Sequence, residues 1–330
     1  MRILFMGSSE ASATSLRAIL RNPQLKVIGV VTQPDRPSGR NRKLTPCPCK
    51  AFAEERRLPN IFSPEKINTP ESLEQIRSLK PDIIAVVAYG QFLCKELLEI
   101  PPLGCVNGHF SLLPKYRGAS PVQAAIIAGE HVTGVTVMQM GEGMDDGDIL
   151  MTSIEPICSD DTGSTLMDRL AILGGVTLAK ALRMLADGPL PRTPQDGSLA
   201  TFARKMSKND GLLDWTQPAM VLERRIRGFD PWPGAFTYLP EKYARPNGTG
   251  RVKILQAEVL TVKPDGYDSY EPGEICAITK RGPVVCTTGR PMLLLALQPD
   301  GGKTMDGKAF LNGRPLQPGD RFSDKPWGAQ

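Results

Sequence analysis

The sequence predicts an α/β fold, a doubly wound and mostly parallel sheet, followed by a smaller domain of short strands. Three observations carry that expectation. Residues 2–6 are an apolar run, Gly7-Ser8-Ser9-Glu10 is a tight turn, a helical pattern reaches about residue 20, and residues 26–32 are rich in Val and Ile. Strand, turn, helix, strand is a βαβ unit, with parallel strands and a right-handed crossover. The run Ile83-Ile84-Ala85-Val86-Val87 is apolar without alternation, as expected of a strand covered on both faces. Beyond residue 208 the pattern changes to short strands separated by Gly and Pro turns, which indicates a small barrel or sandwich.

A chain of 330 residues is long enough for two domains with sizeable cores. Hydrophobic residues make up 41% and charged residues 23%, which excludes a disordered or fibrous chain. No apolar run approaches a membrane span, and the first apolar run is too short for a signal peptide. The seven cysteines are odd in number and scattered, so they predict reduced thiols in the cytoplasm rather than a disulfide framework. Cys47-Pro48-Cys49 lacks zinc spacing, so no metal is expected. A net charge of +5 permits a polyanionic partner without requiring one.

Residues 33–46 contain three prolines, a glycine and four basic residues, Arg36, Arg40, Arg42 and Lys43, with no apolar period. They predict a surface loop, long enough to suggest function. Helices are expected over 48–57 and 69–79, the second capped by Thr69 with Pro70 in its first turn. A short strand at 58–62 lies between them. The strand 82–90 ends in Tyr89-Gly90, a short helix covers 92–99, and another strand covers 104–109. Pro121 opens a helix, residues 134–140 form a strand, and 149–157 form an antiparallel edge strand. Asp161 or Thr162 caps a long helix to about residue 186. Residues 187–197 carry three prolines and two glycines without period, a linker continuing to about residue 208. The expected organisation is a first domain over 1–187, a linker over 188–208 and a second domain over 209–330. In the second domain a helix over 218–228 precedes strands near 235–239, 251–260, 274–278, 284–287 and 292–297.

Chemistry concentrates at the strand end Asn107-Gly108-His109. Two residues apart on an extended backbone, Asn107 and His109 face the same way. His109 is one of only two histidines. Asp145 follows 36 residues later in an acidic, glycine-rich turn, after one helix and one strand. In a parallel sheet both positions fall at the carboxyl ends of strands, where such folds bind ligands. An acid beside His109 would orient it, and Asn107 with a protonated His109 would donate to a developing oxyanion. No serine lies in a Gly-x-Ser-x-Gly elbow, and the first turn lacks Gly-x-Gly-x-x-Gly, which argues against acyl-enzyme chemistry and a dinucleotide site. The pattern fits direct acyl transfer through a tetrahedral intermediate, with proton transfer and no covalent enzyme step.

Asn107-Gly108-His109, Ser111-Leu112-Leu113-Pro114, Tyr116-Arg117-Gly118-Ala119-Ser120-Pro121, Gly134-Val135-Thr136 and Met144-Asp145-Asp146-Gly147-Asp148 resemble the 10-formyltetrahydrofolate-dependent formyltransferase family. Its hallmark is Asn-x-His-x-Ser-Leu-Leu-Pro with a downstream Leu/Met-Asp-x-Gly. The resemblance covers nearly the whole chain and is closer to the bacterial branch that acts on methionyl-initiator tRNA. Gln33-Pro34-Asp35-Arg36-Pro37-Ser38-Gly39-Arg40 is similar to that branch's basic loop. Val87-Ala88-Tyr89-Gly90 is similar to its folate-side strand end. Asp214-Trp215 and Arg227-Gly228-Phe229-Asp230-Pro231-Trp232-Pro233 are similar to its C-terminal, OB-like domain.

The resemblance implies a Rossmann-like formyltransferase domain followed by an OB-like β-barrel. It implies a catalytic trio of Asn107, His109 and Asp145. Tetrahydrofolate would be held by Ser111, Leu112, Leu113 and Pro114, with the pterin against the backbone of Gln91, Phe92 and Leu93. Arg40, with Arg36, Arg42 and Lys43, would engage the tRNA acceptor end, since phosphates favour clustered Arg and Lys. The implied reaction transfers a formyl group from 10-formyltetrahydrofolate, a co-substrate, to the amino group of methionyl-initiator tRNA for translation initiation. A monomer that touches no membrane is expected.

Several residues depart from the family pattern. Gly7-Ser8-Ser9-Glu10-Ala11-Ser12 stands where Gly-Thr-Pro-x-Phe-Ala is usual, Phe110 replaces a small residue, Phe92-Leu93-Cys94 replaces Ile-Leu-Pro, and Asp146 replaces a common Thr beside Asp145. Two alternatives follow from the residues. One is a relative with the same donor and another acceptor, a sugar-nucleotide amine or water. The other is a non-catalytic RNA-binding module, against which the complete Asn/His/Asp trio speaks. The second domain also offers Lys205, Lys208, Arg224, Arg225, Arg227, Arg251 and Lys253 as a basic surface for tRNA.

Overall fold

Strand β1 (Arg2–Gly7) is buried at every residue after Arg2 and lies in the interior of a seven-stranded sheet. The computed structural model describes residues 1–38, 43–243 and 248–326. Its contacts divide the chain into two units. The first is Met1–Val122, His131–Ile157 and Thr165–Arg204; the second is Gln123–Glu130, Cys158–Ser164 and Lys205–Gln330.

In the first unit, helix α1 (Glu10–Leu20) begins at the N-cap Ser9, in a capping box closed by Ser12. Ser12 Oγ also donates to the Val87 carbonyl at 2.6 Å. The serines that depart from the family pattern therefore bind the helix start to a neighbouring strand end. Strand β2 (Lys26–Val31) pairs parallel with β1. Strands β3 (Arg36–Ser38) and β4 (Lys43–Thr45) form an exposed antiparallel pair where an irregular loop was expected. Three-residue strands are too short to show alternation, and Pro37 is tolerated at an edge. Helix α2 (Pro48–Glu55), strand β5 (Ile61–Phe62) and helix α3 (Pro70–Leu79) follow as predicted, with Thr69 Oγ1 accepting from Ser72 N. Strand β6 (Ile83–Val87) is buried throughout. Helix α4 (Lys95–Leu98) is a single turn.

Strand β7 (Cys105–His109) carries the Asn-x-His pair and runs parallel to β6. After the short β8 (Arg117–Gly118) and helix α5 (Pro121–Ala128), strand β9 (Val132–Gln139) returns antiparallel to β7, His109 pairing with Thr136 and Val106 with Gln139. Strand β10 (Ile149–Pro156) pairs antiparallel with β9 at the edge. Helix α6 (Gly163–Asp187) follows. The sheet order is β10-β9-β7-β6-β1-β2-β5. The chain first builds outward from β1 through β2 to β5, then crosses to β6 and β7, so the winding reverses between β1 and β6. That switch point opens a crevice at the carboxyl ends of the strands. A core of Leu4, Met6, Ile84, Ile76 and Leu97 lies on one sheet face.

Gly134 in β9 has no room for a side chain. A Cβ there would lie 2.1 Å from the Ser153 carbonyl oxygen of β10 and 2.7 Å from Leu112 Cδ2. Since a backbone carbonyl cannot swing aside, Gly134→Ala should cost about 1–3 kcal/mol, the range for overpacked sites. A thermal melt should show a midpoint lower by roughly 3–10 °C; an unchanged midpoint would contradict the close approach.

Residues 188–204, expected as a linker, contribute to the first unit. Thr193 bridges Ile149, and strand β11 (Phe202–Ala203) pairs parallel with β8.

The second unit holds helix α7 (Ala219–Gly228) and strands β12 (Phe236–Tyr238), β13 (Arg251–Val259), β14 (Ile275–Ile278), β15 (Pro283–Val285), β16 (Met292–Pro299) and β17 (Met305–Asp306), then helix α8 (Gly307–Gly313). The strands form an antiparallel sheet in the order β12-β13-β16-β15-β14, with β17 on β16. Register shifts on β13 at Gln256 and on β14 near Ile275 are bulges, which curl a sheet. The result is a half-barrel, the expected OB-like class. Its core comprises Trp215, Leu222, Ile226, Phe229, Val252 and Phe310. The Arg227-to-Pro233 motif anchors this core. Arg227 Nη1 donates to the Asp161 carbonyl at 2.7 Å, and the Asp230 carboxylate accepts from Ser164. Among the described residues no helix is long and apolar enough to cross a membrane.

Candidate active site

A cavity of about 520 Å³ lies at the carboxyl ends of β1, β6 and β7, wholly within the first unit. Its walls come from the start of α1, residues 88–93 after β6, residues 107–110 at the end of β7, and the acidic turn 140–146. Asn107, His109 and Asp145 all line it, as do Gln91, Phe92 and Leu93.

Asp145 arrives by a route the sequence did not suggest. Because β9 is antiparallel to β7, the acidic turn leaves the sheet beside the amino end of β7, not its carboxyl end. The turn then folds back over β7. Apolar patterning identifies a strand and its buried face, but it carries no information on direction.

The carboxylate of Asp145 gathers the site. Its Oδ2 accepts from the Gly118 amide at 2.8 Å, and its Oδ1 accepts from Asn107 Nδ2 at 3.4 Å. His109 Nδ1 lies 3.6 Å from Oδ2. On the other side of the ring, Nε2 is 2.9 Å from the Tyr116 carbonyl. A carbonyl only accepts, so Nε2 carries the hydrogen, and Nδ1 is the nitrogen left to take up or release a proton. His109 is only 6% exposed, which shields this pair from bulk water.

Backbone strain concentrates here. Of the six described non-glycine residues with positive φ, Ala88 (+44°), Tyr116 (+60°) and Asp145 (+50°) belong to this site. Such conformations persist only where the surroundings enforce them, commonly at functional sites. Gly118, at φ +114°, must be glycine, since a Cβ would lie 2.6 Å from the Ala203 carbonyl oxygen.

Residues 88–93, which line the cavity after β6, are fixed by side chains. Gln91 Oε1 accepts from Ile67 N at 2.9 Å, and Asn68 bonds both the Phe92 carbonyl and the Cys94 amide at 2.9 and 3.0 Å. Phe92 is 62% exposed while Leu93 is buried. A rigid loop edge beside apolar walls suits a flat heterocycle with a hydrogen-bonding edge. Burial pushes the Tyr89 phenol well above its ordinary range, and its hydroxyl is buried without a hydrogen-bond partner.

Ser111, Leu112, Leu113 and Pro114 do not line the cavity. Thr136 Oγ1 donates to the Ser111 carbonyl at 2.7 Å and accepts from Leu113 N at 3.1 Å, so β9 clamps this stretch. Ser111 Oγ is spent on the Lys115 carbonyl. The segment shapes the turn that carries Tyr116. Arg36 and Lys43 lie on the β3–β4 pair, Arg36 bonded to Glu65 at 3.0 Å; neither lines the cavity. Arg40 and Arg42 lie outside the described residues. In the second unit, the Arg251 guanidinium stacks over Phe236 and the Arg225 guanidinium over Phe229, while Arg227 is bound to Glu223. These three basic residues are engaged within their own unit.

Sequence reasoning missed the Tyr116 carbonyl and the Gly118 amide, which are backbone groups and leave no residue-type signal. It also missed Gln195, whose Nε2 bonds the Asp145 and Gly147 carbonyls at 2.9 and 2.8 Å. Burial pushes the Cys49 and Cys105 thiols up to about 12, so neither is a nucleophile at neutral pH.

Comparison with known proteins adds an independent line. The Formyl transferase model matches residues 1–182, and the Formyl transferase, C-terminal domain model matches residues 205–315. The chain is 45% identical over 313 residues to the methionyl-tRNA formyltransferase of Desulfotalea psychrophila, covering 95% of this chain and 93% of the relative. It is 44% identical over 324 residues to that of Symbiobacterium thermophilum, covering 98% and 95%. Among solved structures, the sugar 3N-formyl transferase WlaRD, crystallised with dTDP and 5-N-formyl-THF, matches with a TM-score of 0.60 at 18% identity, over 89% of this chain and 97% of its own. That likeness concerns the fold alone.

Proposed function

Because the chain belongs to the formyl transferase family, we propose that it transfers a formyl group from 10-formyltetrahydrofolate to the amino group of methionyl-initiator tRNA. The observation that carries the chemistry is the convergence of Asn107, His109 and Asp145 on one cavity at the switch point of the sheet. The acceptor follows from relatives similar across both domains. The donor supplies a formyl group already activated as an amide. The backbone of residues 91–93 receives the pterin, and the apolar walls exclude water.

Three side chains divide the work. Asn107 Nδ2 and a protonated His109 Nδ1 donate to the formyl oxygen as it gains negative charge, a role that accelerates such reactions by about 10²–10³ per donor. Asp145 stands beside Nδ1 and accepts the proton that the attacking amine loses as its nitrogen bonds the formyl carbon. As the bond from that carbon to N10 of the folate breaks, His109 Nδ1 gives its proton to N10, recovers one from Asp145, and tetrahydrofolate leaves. It also fixes Asn107 and His109 relative to each other, so both donors are aimed before the reaction starts. No side chain forms a covalent bond to the formyl carbon. The reaction belongs to the cytoplasm, where charged tRNA is made.

We assign recognition of the tRNA acceptor end to the basic segment carrying Arg36, Arg40, Arg42 and Lys43. The direct test is formyl transfer from 10-formyltetrahydrofolate to charged initiator tRNA, with uncharged tRNA as control. Transfer only to the charged form is the expected result. Arg40→Glu should raise KM for tRNA about tenfold and reduce the slope of log affinity against log salt by about one. If Arg40→Glu left activity on charged tRNA intact, the acceptor end would be recognised elsewhere on the protein. No transfer to charged tRNA by the unmodified protein would make the acceptor another amine, such as that of a sugar nucleotide, or water.

A further inference from the structure

The proline-rich segment and the stretch between it and the second unit fasten both loops that carry the site. The Thr201 carbonyl accepts from the Arg117 amide at 2.8 Å, and Thr201 Oγ1 accepts from the Tyr116 amide at 2.9 Å. The Ala203 carbonyl accepts from the Ala119 amide at 2.9 Å. Those bonds hold the loop whose Tyr116 carbonyl orients His109. Gln195, in the proline-rich segment just before that stretch, holds the acidic turn. Its two N–H groups go to the carbonyls of Asp145 and Gly147, and its Oε1 accepts from Arg117 Nε at 3.1 Å and Nη2 at 2.8 Å. The amide can face only one way. A guanidinium only donates and a carbonyl only accepts, so a flipped amide would set like groups against each other on both sides.

We propose that Gln195 is a positioning residue for formyl transfer, locking the acidic turn to Arg117 so that Asp145 faces Asn107 and His109. The proposal rests on the role given to Asp145 above. The turn needs such a lock. It contains Gly141, Gly143 and Gly147, which lend it little stiffness, and Asp145 itself sits at φ +50°. Arg117 is the right anchor, because it lies between Tyr116, whose carbonyl takes His109 Nε2, and Gly118, whose amide takes Asp145 Oδ2. One side-chain amide thus sets the distance between the acid and the histidine. A displacement of about 1 Å at a reacting group costs up to roughly 100-fold in rate.

Two variants and a control test this. Gln195→Met keeps length and apolar packing and loses both polar ends. Gln195→Glu keeps an acceptor for Arg117 and places another acceptor against two carbonyls. Both should lower kcat about 10- to 100-fold, with KM for 10-formyltetrahydrofolate and for charged tRNA within about twofold, the signature of a lost transition-state alignment. Thermal midpoints should stay close to that of the unmodified protein. Asp196→Ala removes a local cap on the neighbouring turn (Asp196 Oδ1 to Ser198) without touching the lock, and its kcat should not change. Wild-type kcat in Gln195→Met, alongside an inactive Asp145→Asn, would overturn the proposal and leave the Asp145 assignment standing. A kcat loss matched by a lower thermal midpoint and raised KM values would also overturn it, since Gln195 would then only support the fold. Full activity in Asp145→Asn would remove the premise instead.

Discussion

Asp145→Asn should reduce formyl transfer to charged tRNA by about a thousandfold, within the range for removing a positioned acid or base. The substitution keeps the size of the side chain and an oxygen for the Gly118 amide, which donates to Oδ2 at 2.8 Å. It removes the negative charge, and with it the group that accepts the amine proton. With that oxygen kept at the Oδ2 position, it also sets an amide N–H₂ in place of Oδ1, donor against donor with Asn107 Nδ2, which now faces that oxygen at 3.4 Å. Both the proton acceptor and the alignment of the donors are lost together. The cavity wall is otherwise unchanged, so folate binding should survive. The check is single-turnover transfer by the purified variant, with 5-formyltetrahydrofolate binding measured in parallel. Near wild-type turnover with normal folate binding would sink the assignment. Asp146→Asn is the matched control. Asp146 is exposed on the same cavity wall and its carboxylate lies against Gly143, with no bond to Asn107 or His109 among the described residues, so its loss should lower transfer far less than the loss of Asp145.

Which parts of this were legible in the sequence follows from the kind of signal each one leaves. The parallel core was legible because buried strands such as β6 are continuous apolar runs. Helix α3 was legible because Thr69 and Pro70 are residue-type signals of a helix start. The direction of β9 was not, since apolar content is the same read either way. That single fact moved the acidic turn to the other end of β7 and required it to fold back. The β3–β4 pair was hidden by its brevity and by Pro37. Asn107, His109 and Asp145, which the structure brings together, could be singled out because their residue types carry chemistry. Their supports could not, because they are a carbonyl, an amide hydrogen, a buried threonine and a glutamine in a proline-rich stretch. Ser111 to Pro114 are clamped by Thr136 and brace the turn bearing Tyr116, an arrangement that the residue types alone do not signal.

His109 offers the other large effect, and two substitutions separate its two roles. His109→Ala should lower transfer by about a thousandfold through loss of the Nδ1 proton carrier. It should also destabilise the protein. His109 is 6% exposed and donates to the Tyr116 carbonyl, so alanine leaves a hole and removes that hydrogen bond, at a cost of about 1–3 kcal/mol. The loss would also release Tyr116 from its strained φ of +60°, loosening the loop that presents the Gly118 amide to Asp145. His109→Gln tests the chemistry without that damage. Its amide reaches as far as Nε2 and can still donate to the Tyr116 carbonyl, but it neither gains nor loses a proton at neutral pH. The expected result is a comparable loss of turnover in both variants, with a lowered thermal midpoint in His109→Ala alone. If His109→Gln kept turnover within about tenfold of the unmodified protein, the ring would be serving as a strut for Tyr116, and proton transfer at Nδ1 would have to be withdrawn.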